Sequence, residues 1–272
     1  MRILFAADEH PYSAGALPQV ARLGKNTFAD ITILGVSTSS QPGSAPDPLQ
    51  GVLEAYRDQI LASFDPETSP YGDSSGGSQE NNVRKRLVTR VAVGNPSTAI
   101  LDAAKDDGSD LIVIGCSAQD GYAWEGAGNV PLKVARDADC SVLVIKENRE
   151  INRVICCLDH DKISQYTLEM VNQVVTLFHA DLDLVVLTET EKVPKQIEQM
   201  LFWFINYYTA RTIFPRVELV KPSSFETFAA RRAASGLLAM WMGPNTILGR
   251  LFPSNKIPKF LKTNESSVIL LK

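Results

Sequence analysis

The chain has 272 residues and a formal net charge of −4; 44% of its residues are hydrophobic and 21% are charged. This is the composition of an ordinary folded protein, which excludes a disordered, collagenous or low-complexity chain, and the length allows one large domain or two small ones. The acidic balance gives no global field for nucleic acid, and no uncharged apolar run is long enough to read as a membrane-spanning helix.

In chain order, residues 2–7 form a short apolar run that reads as a buried strand. Residues 12–24 carry Leu17, Val20, Ala21 and Leu23 at helical spacing, 30–37 read as a strand and 49–64 as a helix. A strand at 86–93 leads to Pro96, which opens a helix through Lys105. A strand at 110–114, a helix at 129–137 and a strand at 141–146 follow. The pattern then recurs, with strands at 152–158, 182–188, 216–220, 236–241 and 267–271 and helices at 163–178, 192–211, 223–234 and 255–262.

The recurrence is an internal repeat. Ile3–Asp8 matches Val154–Asp159 at an offset of 151, and Ala29-Asp30 matches Ala180-Asp181. Further on the offset is 126, pairing Arg90-Val91 with Arg216-Val217, Pro96-Ser97 with Pro222-Ser223, and Ser141-Val142 with Ser267-Val268. The expected domains are 1–147 and 151–272, and the first carries 25 extra residues within 39–85. Residues 39–50 and 65–82, rich in Ser, Pro and Gly, read as mobile loops.

Strands alternating with helices imply an α/β fold: two doubly wound, five-stranded parallel-sheet units of Rossmann-like type. Such a unit binds ligands in the crevice at the carboxyl ends of its strands, where the winding reverses. The loops that follow the first and fourth strands are therefore the important ones.

After the fourth strand of the first copy comes Gly115-Cys-Ser-Ala118, then nine residues, then Gly128-Asn129; the first strand ends in Asp8. This arrangement resembles the universal stress protein family, whose nucleotide-binding members carry Gly-x2-Gly-x9-Gly-[Ser/Thr] after strand 4 and an aspartate ending strand 1. Cys140–Ile145 resembles the family's closing strand, and Gly94-Asn-Pro-Ser-Thr-Ala-Ile100 resembles its Gly-x-Pro-x-x-x-Ile junction. The resemblance spans the chain twice. It implies a tandem universal stress protein whose halves pack as a pseudo-dimer through 141–146 and 267–271. It also implies a stress-linked regulatory role and an adenine-nucleotide site at Asp8, Val36, Gly115, Ala118, Gly128 and Asn129. The ligand would be ATP, ADP or AMP, with Mg²⁺ accompanying a triphosphate.

The chemistry suits such a site. Glycines let backbone N–H groups approach phosphate, and a helix starting near Asn129 points its positive end at an anion. Asp8 would accept from a ribose or adenine edge, and the backbone near Val36 would face the adenine. The blander roles are a turn or helix cap at Asp8, an N-cap at Asn129 and loop shaping by the glycines. Two departures from the family pattern lower the expected affinity. Ala118 stands at the second glycine, and Asn129 at the final hydroxyl residue. The loop between them carries Asp120 and Glu125 and no Lys or Arg.

The second copy departs further. Trp241 replaces Gly115, Pro244 replaces Ala118, and Ser254-Asn255 replaces Gly128-Asn129. An indole would fill the phosphate space, so this half is expected to lack the nucleotide site. Arg250, Lys256, Lys259 and Lys262 make the region basic. Ser75-Gly-Gly-Ser78 reads as linker, since a pyrophosphatase-type loop would have to follow strand 1. Asp8-Glu9-His10 and Asp159-His160-Asp161 are too contiguous for one metal, and no Ser/His/Asp or Cys/His constellation is legible.

Residues 200–214 are strongly aromatic, with Phe202, Trp203, Phe204, Tyr207, Tyr208 and Phe214. They read as core plus a protein contact, with few flanking bases for membrane docking. The runner-up function is therefore a nucleotide-independent scaffold that binds a protein partner through helix 192–211 and the insert, or a homo-oligomer. A turnover enzyme is not expected, and any ATP hydrolysis would be slow. The N-terminus lacks a secretory cleavage site. The four cysteines, Cys116, Cys140, Cys156 and Cys157, form no CxxC pair, so a reducing, cytoplasmic setting is expected without disulfide or metal.

Overall fold

The structure is a computed structural model. It describes residues 1–37, 48–64, 71, 85–117, 129–147, 150–158, 165–188, 195–232, 236–241, 259–261 and 266–272. The chain divides into two compact units, Met1–Asn148 and Arg149–Lys272. Among the sequence-derived features, Ala118, Gly128, Asp120, Glu125, Asp159, His160, Asp161, Pro244, Arg250, Ser254, Asn255, Lys256, Lys262 and the Ser75–Ser78 stretch lie outside the described residues.

Unit 1 contains β1 (Arg2–Ala6), α1 (Pro11–Thr27), β2 (Asp30–Ser37), α2 (Pro48–Ala62), β3 (Leu87–Val93), α3 (Pro96–Asp106), β4 (Leu111–Cys116), α4 (Val130–Asp137) and β5 (Ser141–Lys146). The strands lie in the order β3-β2-β1-β4-β5, all parallel. β1 pairs on one side with β2 (Phe5 beside Ile33) and on the other with β4 (Phe5 beside Val113). The winding reverses between β1 and β4. Helix α1 packs with α2, and α3 with α4, so both faces of the sheet are covered.

The local chemistry accounts for these elements. β1, β4 and β5 read as near-continuous apolar runs because both of their faces are buried. Leu4, Phe5, Ile112, Val113, Val142 and Leu143 are fully enclosed, each side chain contributing about 1.5–3 kcal/mol of burial. α3 starts at Asn95, whose side chain accepts from the Thr98 N–H, with Pro96 in the first turn. Arg90 on β3 grips Asp107 at the end of α3 through two bonds of 3.0 and 3.3 Å. Tyr71, within the long connection between α2 and β3, is buried and donates its hydroxyl to the Ala29 carbonyl at 2.6 Å.

Unit 2 contains β6 (Arg153–Leu158), α5 (Gln165–Phe178), β7 (Asp181–Leu187), α6 (Lys195–Thr209), β8 (Arg216–Val220), a 3₁₀ turn (Pro222–Ser224), α7 (Phe225–Arg232), β9 (Leu237–Trp241) and β10 (Ser267–Leu271). Its strands lie in the order β10-β9-β6-β7-β8, again all parallel. First strand, second strand and edge strand correspond to β1, β2 and β3, so the winding is the same as in unit 1. Cys156 and Cys157 on β6 are buried free thiols, and burial pushes Cys156 up to about 12. Phe204 and Tyr208 on α6 are fully buried, whereas Phe202 and Trp203 are exposed. The aromatic segment is thus part core and part surface. No helix of the described residues is long and apolar enough to cross a membrane.

Candidate functional site

The crevice of unit 1 lies where β1 and β4 end, and Asp8 stands just beyond β1. Its carboxylate is already engaged by its own chain. Oδ1 accepts from the His10 backbone N–H at 3.1 Å and from Ser13 Oγ at 2.7 Å. Oδ2 accepts from the Tyr12 hydroxyl in a short hydrogen bond and faces His10 Nδ1 at 3.1 Å. A carboxylate offers about four lone-pair sites, and four polar groups occupy them here. The main chain of Asp8 is held as well. Its N–H donates to Ser13 Oγ at 3.1 Å, and its carbonyl accepts from Tyr56 Oη at 3.0 Å.

The sequence makes this knot locally, because His10, Tyr12 and Ser13 follow Asp8 within five residues, as in an extended Asx turn. Pro11 opens α1 at once, turning Tyr12 and Ser13 back under the carboxylate. The rings of His10 and Tyr12 stack, with centroids 5.4 Å apart and planes nearly parallel. Burial raises the Asp8 carboxyl to about 6, against the lowering pull of the Ser13 and His10 hydrogen bonds.

The structure therefore brings a Ser, a His and an Asp together where the sequence showed no such constellation. It is not a nucleophilic triad. In a triad the imidazole stands between carboxylate and hydroxyl; here the carboxylate is the hub, and the Ser13 proton goes to it directly. Among the described residues no group of three or more His, Cys, Asp or Glu side chains forms a metal site.

Gly115 on β4 has a close neighbour. A Cβ there would fall 2.7 Å from the carbonyl carbon of Tyr12, against its oxygen, and 3.1 Å from the Ser13 nitrogen. The missing side chain is needed by the first turn of α1, which rests on β4 at this point. Val36 is half-buried near the end of β2, beside Ala92 of β3. Asn129 precedes α4 as expected, yet it does not cap it. Its backbone is left-handed (φ 61°), and its side chain makes no capping bond; only its carbonyl serves the helix, accepting from Leu132 and Lys133. The N-cap expectation is corrected: an N-cap side chain reaches its N–H groups from extended backbone, and this one is left-handed.

One residue went unweighed in the sequence. Lys146 closes β5 beside Cys116 of β4 in register, is only 3% exposed, and brings Nζ to 3.7 Å from Cys116 Sγ. Side chains alternate along a strand, so Cys116 and Lys146 lie on the sheet face opposite Gly115 and α1. The sequence signal was the abrupt lysine after the apolar run of β5. A charge buried at a strand's carboxyl end differs from an ordinary solvated terminus.

Comparisons with known proteins place this architecture. The model of the universal stress protein family matches residues 1–146. The universal stress protein YxiE of Bacillus subtilis (strain 168) is 29% identical over 152 residues, which cover 53% of this chain and 98% of that one. Among solved structures, a universal stress protein from Archaeoglobus fulgidus DSM 4304 has the same fold over 100% of this chain and 96% of its own (TM-score 0.66, 16% identity). The cytoplasmic domain of a prokaryotic cation chloride cotransporter shares the fold over 99% of this chain and 94% of its own (TM-score 0.56, 10% identity). Unit 1 is a doubly wound unit with an aspartate just beyond its first strand and a glycine next to last in its fourth. The chain belongs to the universal stress protein family.

Proposed function

We propose that this protein is a regulatory component of the stress response whose first unit binds an adenine nucleotide weakly at the β1–β4 crevice, with at most slow hydrolysis. The observation that carries this reading is the buried ammonium of Lys146 beside the end of β4. The loop from Gln119 to Ala127 offers no cation of its own. Lys146 supplies one at the carboxyl end of the sheet, where such folds take phosphate. In this reading the Val36 backbone faces the adenine. Gly115, Ala118, Gly128 and Asn129 border the phosphates, and Mg²⁺ screens Asp120 and Glu125 when a triphosphate binds.

Asp8 enters only by exchanging an internal donor for a ligand hydroxyl or amine, and that exchange is why the affinity is weak. Slow turnover follows from the same engagement, since Asp8 is not free to activate a water. Titration calorimetry with ATP, ADP and AMP, with and without Mg²⁺, tests the reading. Weak binding that Lys146→Gln abolishes while the circular dichroism spectrum is unchanged supports it. No heat, with no added hydrogen-exchange protection over Asn129–Asp137, overturns it.

A second reading, a nucleotide-independent scaffold that binds a protein partner, is favoured by one observation. Phe202 and Trp203 on α6 are 66% and 74% exposed. Surface aromatics of this size are typical of protein contacts.

A further inference from the structure

Among the described residues, β8 is the edge strand of unit 2 and pairs in its sheet with β7 alone. The Thr188 N–H donates to the Val220 carbonyl, so the backbone groups of Val220 point toward β7. These directions alternate along a strand. Arg216, Glu218 and Val220 therefore address β7, while Pro215, Val217 and Leu219 present their backbone groups to the open edge. Val217 and Leu219 also carry exposed apolar side chains. Open edges of this kind are templates for another strand.

We propose that β8 pairs antiparallel with the β8 of a second copy of this chain, about a twofold axis through Val217. The charges select this register. With Val217 opposite Val217, Arg216 of each copy faces Glu218 of the other, in the non-hydrogen-bonded positions where side chains come closest. An axis through Arg216 opposes arginine to arginine, and one through Glu218 opposes glutamate to glutamate. An axis through Leu219 sets Glu218 against the apolar Val220. The chosen register forms two reciprocal bonds at Val217 and two more from the Leu219 N–H to the Pro215 carbonyl; the missing proline N–H asks for no partner.

The segment that precedes β8 in sequence also exposes apolar side chains. α6 and Phe214 lead directly into β8, and Phe202, Trp203 and Phe214 are 66%, 74% and 74% exposed. At about 150–250 Å² per aromatic side chain, a twofold pair that covered all three in each copy would remove about 800 Å² from water. With the paired strands, the total would then approach the ~1,200 Å² of a stable interface. Unit 1 serves as an internal control. Its matching helix, α2, has no large apolar side chain among the strongly exposed ones, and the same register on β3 sets Arg90 against Ala92. The surface belongs to the second repeat and is not a requirement of the fold.

Analytical ultracentrifugation of the full chain tests the proposal. The expected species has twice the chain mass of 29.8 kDa. Val217→Pro removes an N–H that faces away from β7, so the ladder within the unit survives; dimer affinity should fall about tenfold or more. Arg216→Glu alone should weaken the dimer similarly, and Arg216→Glu with Glu218→Arg should restore it to within about threefold. A monomer at tens of micromolar, or a dimer indifferent to Val217→Pro, overturns the proposal. So does an assembly that grows without limit as concentration rises, which would mean β8 adding head-to-tail onto β3.

Discussion

Gly115 has two competing roles, and a single methyl group separates them. If the glycine exists to admit a phosphate, Gly115→Ala should abolish nucleotide binding and leave stability unchanged. The geometry predicts the reverse order of effects. The new Cβ would meet the carbonyl carbon of Tyr12 at 2.7 Å, where real contacts essentially never come closer than 3.0 Å. Its neighbours are backbone atoms of a helix, which cannot rotate aside. The first turn of α1 must retreat by roughly 1 Å to recover ordinary contact. That turn carries Tyr12 and Ser13, two of the donors on Asp8. Overpacking of this kind costs about 1–3 kcal/mol, and a weakened Tyr12 or Ser13 bond adds about 1 kcal/mol. We therefore expect Gly115→Ala to destabilise unit 1 by about 2–4 kcal/mol, with any loss of ligand binding following from it. Urea unfolding of wild type and variant, followed by a probe in unit 1, measures the difference. A variant within 0.5 kcal/mol of wild type would refute the packing account and return Gly115 to the phosphate.

Further predictions rest on neighbouring groups. Asp8 has a native carboxyl value near 6, against 3.8 for the free group, because burial raises it. Between pH 4 and 6 the native state holds a proton that the unfolded state has lost, so stability is full below this window and declines as pH rises through it. The decline is about 2–3 kcal/mol for this 14%-exposed carboxylate; Asp8→Asn should flatten the slope in urea titrations across that range, and an unchanged slope would assign it elsewhere. Tyr56→Phe removes the hydroxyl that donates to the Asp8 carbonyl and should cost about 1 kcal/mol in the same measurement. Tyr71→Phe should cost about 1–2 kcal/mol, because it leaves the Ala29 carbonyl unpaired in a buried place. Trp203→Ser, at a position 74% exposed, should leave monomer stability within about 0.5 kcal/mol while weakening self-association.

In each unit the sheet was legible because its central strands are buried on both faces. Runs such as Leu111–Ile114 and Val142–Ile145 admit few other readings, and the order of apolar runs and helices dictates the winding. Strand edges differ by a residue or two: β4 continues to Cys116, past the glycine that looked like a loop. Helix ends moved for similar reasons. α6 ends at Thr209, two residues before the expected 211, and the turn at Pro222–Ser224 precedes α7.

The site was harder to read. A motif compares residues with a consensus, whereas the role of Gly115 depends on what lies across from it, and α1 is a hundred residues away in sequence. Asp8 showed its place but not its bonding. The donors His10, Tyr12 and Ser13 are near enough to be suspected, yet nothing in their order shows that all of them turn inward. Lys146 was visible only as the end of a strand; its burial depends on tertiary packing, which a window of sequence does not contain.

The cysteines give the two units separate built-in clocks. Cys156 and Cys157 lie in the middle of unit 2 and are buried, while unit 1 holds the buried Cys116 and the partly accessible Cys140. Since the reactive species is the thiolate, the protonated and enclosed pair on β6 should be silent toward alkylating reagents until β6 leaves its sheet. Their labelling rate then reads how often unit 2 opens, independently of any event in the crevice of unit 1. A chain that has duplicated one fold thereby reports on its halves one at a time, with no introduced probe.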